Sequence, residues 1–328
     1  MTCRQRFFFG GILFFRNLVL LLNFQIGEIS LIQPFILRGQ IFEVKVQQFQ
    51  FEIPPFTIHH IPFTIMTKPL TIPTMAMLAA EDRQPEILFW VGCAGSFDAR
   101  AQKVTIAFSK ILNEVGIDFA ILGNEEMCTG DPARRAGNEF IFQMMALQNI
   151  TTMNMYGVKK IVTACPHCFN TLKNEYPALG GHYEVVHHAQ YLQSLINEGR
   201  LKIEGGAFKG KKITYHDSCY IGRANGIYEA PREVLAQLDA ELVELKRCRT
   251  NGLCCGAGGA QMFKEDEPGD KRINIERADE ILETNATIVA ANCPFCITML
   301  SDGMKAKDKQ DDVMVFDLSE LIVNNNGW

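Results

Sequence analysis

The sequence predicts an α/β fold built twice. Three observations predict it. Short β-rich apolar runs alternate with amphipathic stretches from about residue 85 to 323. One cysteine pattern occurs in both halves of that region at matched intervals. The 328 residues, 47% hydrophobic and 21% charged, have room for two ordinary cores.

The elements follow in order. EILFWVGC reads as a short strand ending at Cys93, and residues 101–115 as a helix with Val104, Phe108, Ile111 and Leu112 on one stripe. A strand over 118–122 leads to the loop with Cys128. Asp131-Pro132 suits a helix start. A long helix over 137–155 is expected to bury Phe140, Met144, Leu147 and Ile150. KKIVTAC is a strand ending at Cys165, with a helix opening at Pro166. Residues 183–187 form the last strand of this half, followed by a helix over 189–197. The second half repeats the order. KKITYHDSC is a strand leading to Cys219, 231–238 a helix, 241–245 a strand, and GLCCGAGGA a loop. Then come a helix over 272–284, the strand TIVAANC, a helix over 294–304, a strand over 313–316 and a helix over 318–323. Strands that alternate with helices form parallel sheets. The expected architecture is therefore two duplicated Rossmann-like halves, with the cysteines at the carboxyl ends of strands, where such sheets place their sites. The expected domains are residues 66–205 and 206–328.

The cysteines carry the chemistry. The first half has Cys93, then Cys128-Thr129-Gly130, then Cys165-Pro166-His167-Cys168. The second has Cys219, then Cys254-Cys255-Gly256, then Cys293-Pro294-Phe295-Cys296. The same interval separates Cys93 from Cys128 and Cys219 from Cys254. Nine of the eleven cysteines belong to this pattern, and Cys3 and Cys248 do not. A disulfide framework suits short secreted chains rather than one of this length. Thiolate clusters select soft metals, meaning zinc, copper(I) or iron–sulfur clusters. Zinc needs four ligands, and the second half offers five. The glycines of GAGGA lack the Lys-Ser/Thr pattern of a phosphate loop, and fit instead a backbone passing a bulky inorganic core. Pro166 and Pro294 place Cys168 and Cys296 in a first helical turn, where free N–H groups are expected to meet sulfur.

The first 65 residues differ from the rest. They contain no Ala, Asp, Tyr or Trp, and hold twelve of the 23 Phe. The run from Phe7 to Phe24 behind Arg4 and Arg6 looks like a leader or a membrane span, but Arg16 interrupts it. The composition break predicts that residues 1–65 are upstream sequence translated from a wrong start, with the native start at Met66. A membrane anchor is the second reading and an exported protein the third.

On these motifs the chain resembles the cysteine-rich CCG domain proteins, typified by the B- and D-type subunits of heterodisulfide reductase. The likeness covers about residues 85–323. It implies that Cys219, Cys254, Cys255, Cys293 and Cys296 hold an unusual noncubane iron–sulfur cluster able to cleave or form a disulfide of a small thiol. The same domain occurs in iron–sulfur subunits of lactate and glycolate oxidation systems and of thiol-linked fumarate reductases. The resemblance thus fixes the cofactor class better than the substrate. Thr129 departs from the family pattern. The four thiolates left in the first half, Cys93, Cys128, Cys165 and Cys168, suit a cubane [4Fe-4S] cluster or zinc.

The expected protein is an iron–sulfur oxidoreductase subunit similar to heterodisulfide reductase. An electron-transfer subunit of a lactate- or glycolate-type, quinone-linked oxidase is the alternative, and a zinc-stapled scaffold the third reading. Without a dinucleotide fingerprint or ferredoxin spacing, it requires a flavin- or cluster-bearing partner, membrane-bound or soluble. It is expected in the cytoplasm, peripheral to the inner face of a membrane through that partner. Its net charge of −5 and lack of a basic stretch argue against nucleic acid. His216 and Asp217, just before Cys219, are candidates to orient a ligand or donate a proton. His167 lies between two ligand cysteines, with packing as its simpler role. Arg134, Arg135 and Arg223 follow cysteines and suit an acidic substrate or ordinary ion pairs. His187-His188 is expected to align with Phe316-Asp317.

Overall fold

The computed structural model describes residues 70–265 and 268–328, together with four short strands nearer the amino terminus. Those strands pair as antiparallel hairpins: β1 (Ile12–Phe15) with β2 (Leu18–Leu21), and β3 (Phe35–Leu37) with β4 (Gln40–Phe42). Met1–Phe63 and Thr64–Trp328 are separate compact units. The expectation of a wrong start or leader over 1–65 otherwise falls outside the described residues.

The first half opens with α1 (Met75–Ala80), capped by Thr74, whose side chain accepts from the Met77 amide. Then come β5 (Ile87–Trp90), α2 (Gly92–Phe97), α3 (Ala99–Glu114) and β6 (Phe119–Ala120). They are followed by α4 (Asp131–Arg135), α5 (Glu139–Met155), β7 (Lys160–Thr163), α6 (Pro166–Asn170), β8 (Glu184–His187) and α7 (His188–Asn197). The second half contains β9 (Lys212–Tyr215), α8 (Gly222–Asn225), α9 (Glu229–Ala236) and β10 (Glu241–Val243). It ends with α10 (Ile273–Glu283), β11 (Ile288–Ala291), α11 (Pro294–Ala306), β12 (Met314–Asp317) and α12 (Leu318–Asn326).

Each half forms a four-stranded parallel sheet with the same order, β6-β5-β7-β8 and β10-β9-β11-β12. Strands buried on both faces read as continuous apolar runs, as ILFW and IVAA do. The helices pack reciprocally across the halves. α3 of the first packs on α12 of the second, and α7 of the first packs on α9 of the second. These four helices and one face of each sheet share a central core, with Phe89, Phe108 and Leu192 from one half and Ile213, Val234 and Leu321 from the other. A separate apolar layer covers the outer face of each sheet.

Three expectations are corrected. Cys93 does not end a strand. β5 stops at Trp90, and Cys93 lies within the short helix α2. On α5 the apolar stripe Phe140, Met144 and Leu147 faces solvent, at 73%, 57% and 49% exposure. The buried side is Phe142, Ala146, Asn149, Ile150 and Met153, because Asn149 has to face the Cys128 loop whose backbone it hydrogen-bonds. The third concerns alignment. His187 and Asp317 both cap a helix after the last strand, each accepting from an amide two residues on. The equivalents are therefore Val186-His187 and Phe316-Asp317, one residue out of step with the expected match.

Candidate metal centre

Both thiol sets lie at the carboxyl ends of the parallel strands. Cys93 lies in the first turn of α2, just beyond β5. The Cys128 loop is held by Asn149, fully buried on α5. Its Nδ2 donates to the Cys128 and Met127 carbonyls at 3.1 and 3.3 Å, and its Oδ1 accepts from the Met127 amide at 3.1 Å. Cys165 caps α6, and Cys168 lies in its first turn. A Cβ at Gly92 would come within 3.2 Å of Cys168 Sγ, so the backbone leaves the room that this sulfur occupies.

The thiols of each set are in contact. In the first, Cys93 hydrogen-bonds Cys128 and Cys165 hydrogen-bonds Cys168, and Cys93 also feels the charge of Cys165. In the second, Cys219 hydrogen-bonds Cys254, Cys254 hydrogen-bonds Cys255, Cys255 hydrogen-bonds Cys296, and Cys293 hydrogen-bonds Cys296. The described cysteines form no disulfides.

The two sets repeat in electrostatic detail. The hydrogen bond from Cys93 pulls the Cys128 thiol down to about 7, and that from Cys219 pulls Cys254 far lower. The Gly130 amide donates to Cys128 Sγ at 3.5 Å, and the Gly256 amide to Cys254 Sγ at 3.3 Å. Both glycines have positive φ, 87° and 93°, the left-handed turn that aims the amide back at the sulfur. Thr129 stands where the second set has Cys255. Its Oγ1 approaches Cys168 Sγ at 3.9 Å, while Cys255 meets Cys296. Helix amides do reach sulfur, but at the cap cysteines. Burial raises the Cys165 thiol, and the Cys168 thiol, the His167 charge and the amides of Cys168 and His167 bring it below its ordinary value. Burial instead wins at Cys293, which rises to about 11.

The side chains around the thiols are well partnered. Asp217 accepts from Arg232 Nη1 and Nη2 at 2.8 and 2.9 Å and from the Arg249 amide at 2.7 Å. Burial would raise its carboxyl, but these donors hold it below the usual range, so it stays ionised. His216 is fully buried. A ring nitrogen lies within 4.8 Å of the Cys255 and Cys296 sulfurs, and burial and Arg277 lower its pKa to about 3. His167 bonds through Nδ1 to Asp131 Oδ2 at 2.9 Å and packs on Tyr220 and Phe295, between the sets. It feels the charges of Cys165 and Cys254, one from each set. Arg134 and Arg135 pair with Glu175, Arg135 also pairs with Asp131, and Arg223 donates to the Gly252 carbonyl. These arginines are engaged within the protein. His188 Nε2 meets Asp317 at 3.0 Å in the buried centre. Cys248 stays outside both sets as a half-buried thiol.

Asn149 and Arg277 serve the sites without any sequence signal, since they sit far from the cysteines along the chain. Asp131, just after Cys-Thr-Gly, had a position that could have suggested a role.

The CCG family, described as a cysteine-rich domain, matches residues 87–173 and 213–301, which bracket both thiol sets. The chain belongs to the cysteine-rich CCG domain family. It is 46% identical over 254 residues to "Probable iron-sulfur-binding oxidoreductase FadF" of Bacillus subtilis, covering 77% of this chain and 36% of that protein. It is 44% identical to "EtfAB:quinone oxidoreductase" of Syntrophomonas wolfei, covering 75% and 35%. To a D-type subunit of the dihydromethanophenazine:CoB--CoM heterodisulfide reductase of Methanosarcina barkeri it is 36% identical, covering 74% and 59%. The chain thus spans about a third of the length of the first two relatives. A hypothetical protein from Helicobacter pylori shares the fold, with a TM-score of 0.50, 9% identity, and coverage of 75% of this chain and 50% of that one. Among the described residues of this CCG domain protein, no helix is long and apolar enough to cross a membrane.

Proposed function

We propose that the chain is the iron–sulfur part of an oxidoreductase that carries electrons between a flavin- or cluster-bearing partner and an acceptor. The observation that carries this is the convergence of nine unpaired thiols into two sets built alike on matching sheets. The donor set fits the group: thiolates are the ligands of iron–sulfur clusters. The cradle fits as well, since glycine amides point at Cys128 and Cys254, and His216 Nε2 is buried without a hydrogen-bond partner.

Cys93, Cys128, Cys165 and Cys168 would hold a [4Fe-4S] cluster, with zinc as the rival occupant. Cys219, Cys254, Cys255, Cys293 and Cys296 would hold a five-thiolate, noncubane cluster. When bound, such clusters supply one-electron oxidation and reduction. The chain's own work is to lower the Cys128, Cys165 and Cys254 thiols, to exclude water from the buried Cys165, Cys168, Cys255, Cys293 and Cys296, and to fix the loops.

Identity to the FadF and quinone oxidoreductase relatives is higher than to the heterodisulfide reductase relative. That favours a quinone-linked chain of electron transfer over disulfide reduction of a small thiol, which is the second reading. A membrane-bound partner fits the first. Iron, sulfide and zinc analysis of anaerobically purified protein, with its EPR spectrum, tests the proposal. Iron with matching sulfide is expected, and Cys255→Ser should alter the spectrum. Zinc without iron would overturn it.

A further inference from the structure

His216 sits where β9 ends, fully buried, with its two ring nitrogens in different surroundings. Nδ1 faces Arg277 Nε at 3.0 Å. A guanidinium N–H can only donate, so Nδ1 must accept. A doubly protonated ring would set a second donor and a second cation against Arg277. The imidazole is therefore neutral, and its one proton is on Nε2.

Arg277 is itself fixed. It is fully buried on α10, and its Nη1 donates to the Arg247 carbonyl at 2.9 Å and to Glu280 Oε2 at 3.0 Å, one turn along the same helix. Glu280 is held in turn by the Arg247 amide and by Arg247 Nε at 3.1 Å. The guanidinium cannot swing away without breaking this chain, so the tautomer of His216 is imposed from outside the ring.

The other nitrogen, Nε2, has no hydrogen-bond partner and no access to solvent. A buried N–H left unpaired bears the cost of its lost hydration with nothing to offset it. The ring lies against sulfur: one of its nitrogens and the Sγ atoms of Cys255 and Cys296 lie within 4.8 Å of one another. Those three residues look at first like a histidine-containing ligand set. The Arg277 contact argues against it, because a metal ligand needs a free lone pair on the nitrogen it offers.

We propose that His216 is a positioning residue, locked as a donor by Arg277, whose Nε2–H would donate a hydrogen bond to the sulfur of a cluster bound at the second site, and that it raises the reduction potential of that cluster. The physical reason is that reduction adds negative charge to the sulfur, and a fixed donor stabilises the more negative state more. This rests on the iron–sulfur reading above.

Replacing His216 by Phe removes the donor and keeps an aromatic ring of similar size. Replacing it by Gln retains an amide N–H. The measurement is an EPR-monitored redox titration of the signal that Cys255→Ser alters, with iron and sulfide counted. In His216→Phe the equilibrium between reduced and oxidised cluster should shift about tenfold toward the oxidised form, with the iron count unchanged. At 59 mV per tenfold for one electron the midpoint falls by ~60 mV. His216→Gln should recover most of that shift. The wild-type protein labelled with 15N-histidine gives a second reading that does not depend on either variant folding. A hydrogen-bond donor gives weak nitrogen coupling in pulsed EPR, and a direct ligand gives strong coupling. Strong coupling, or iron lost from the second site in His216→Phe, would make His216 a ligand and overturn the inference. So would an unshifted midpoint with intact iron, which would leave the iron–sulfur reading standing. Wild-type protein without iron and sulfide would overturn both.

Discussion

Asp217→Asn separates a chemical role for Asp217 from a structural one. The carboxylate and the Arg232 guanidinium form a bidentate pair whose side chains are 4% and 6% exposed. Removing one charge of a buried pair costs about 3–5 kcal/mol, because the partner is left uncompensated. Here Arg232 keeps Glu244, at 2.6 and 2.9 Å, and its position 5.0 Å over the Tyr215 ring. Asn also retains one oxygen to accept from Arg232 or from the Arg249 amide. These remaining contacts place the loss at the lower end, about 3 kcal/mol, or roughly a hundredfold in the folding equilibrium. The assay is anaerobic urea unfolding of both proteins at pH 7, followed by far-UV circular dichroism. The pH dependence has a definite sign. Asp217 is held below its ordinary value, so its contribution is complete above the unfolded carboxyl pKa of about 3.9 and is lost as pH falls through the lower folded value. The gap between wild type and variant should therefore be full at pH 7 and close in acid. A variant with unchanged stability and lost electron transfer would refute the reasoning and return Asp217 to the chemistry.

Thr129→Cys should add a fifth thiolate to the first site, since residue 129 already points at Cys168. The EPR spectrum and iron-to-sulfide ratio of that site should move toward those of the second, and an unchanged spectrum would mean that the loop does not deliver residue 129. Asn149→Leu strands the Met127 and Cys128 backbone groups and should cost about 2–4 kcal/mol. Urea unfolding checks the loss, and iron analysis should show the first site depleted while the second is retained. A variant lacking Cys293 and Cys296 should keep about four irons with matching sulfide, as one [4Fe-4S] cluster requires. One zinc and no iron would show that the first half is a structural zinc site.

The fold and the thiol sets were legible because both rest on local pattern. Buried parallel strands are continuous apolar runs, and the cysteine intervals repeat. α5 was legible as a helix but not in phase. Apolar residues surround it, so periodicity could not decide which side the protein buries, and the Cys128 loop decided it through Asn149. The tautomer lock on His216 was illegible for a related reason. It depends on Arg277, sixty-one positions away, and on Glu280 behind it. Thr129 was the exception, a site residue visible because its counterpart in the other half is cysteine.

The central core has a further consequence. Phe108 and Leu192 pack with Val234 and Leu321, so each half completes the other's interior. Cutting the chain at the linker would lay bare the faces that α3, α7, α9 and α12 bury together, and neither fragment would have a closed interior of its own. The spacing between the two thiol sets is then set by the same packing that keeps the protein folded. It cannot lengthen or shorten by hinge motion without partial melting, so the rate of any electron hop between them should follow temperature smoothly until unfolding begins.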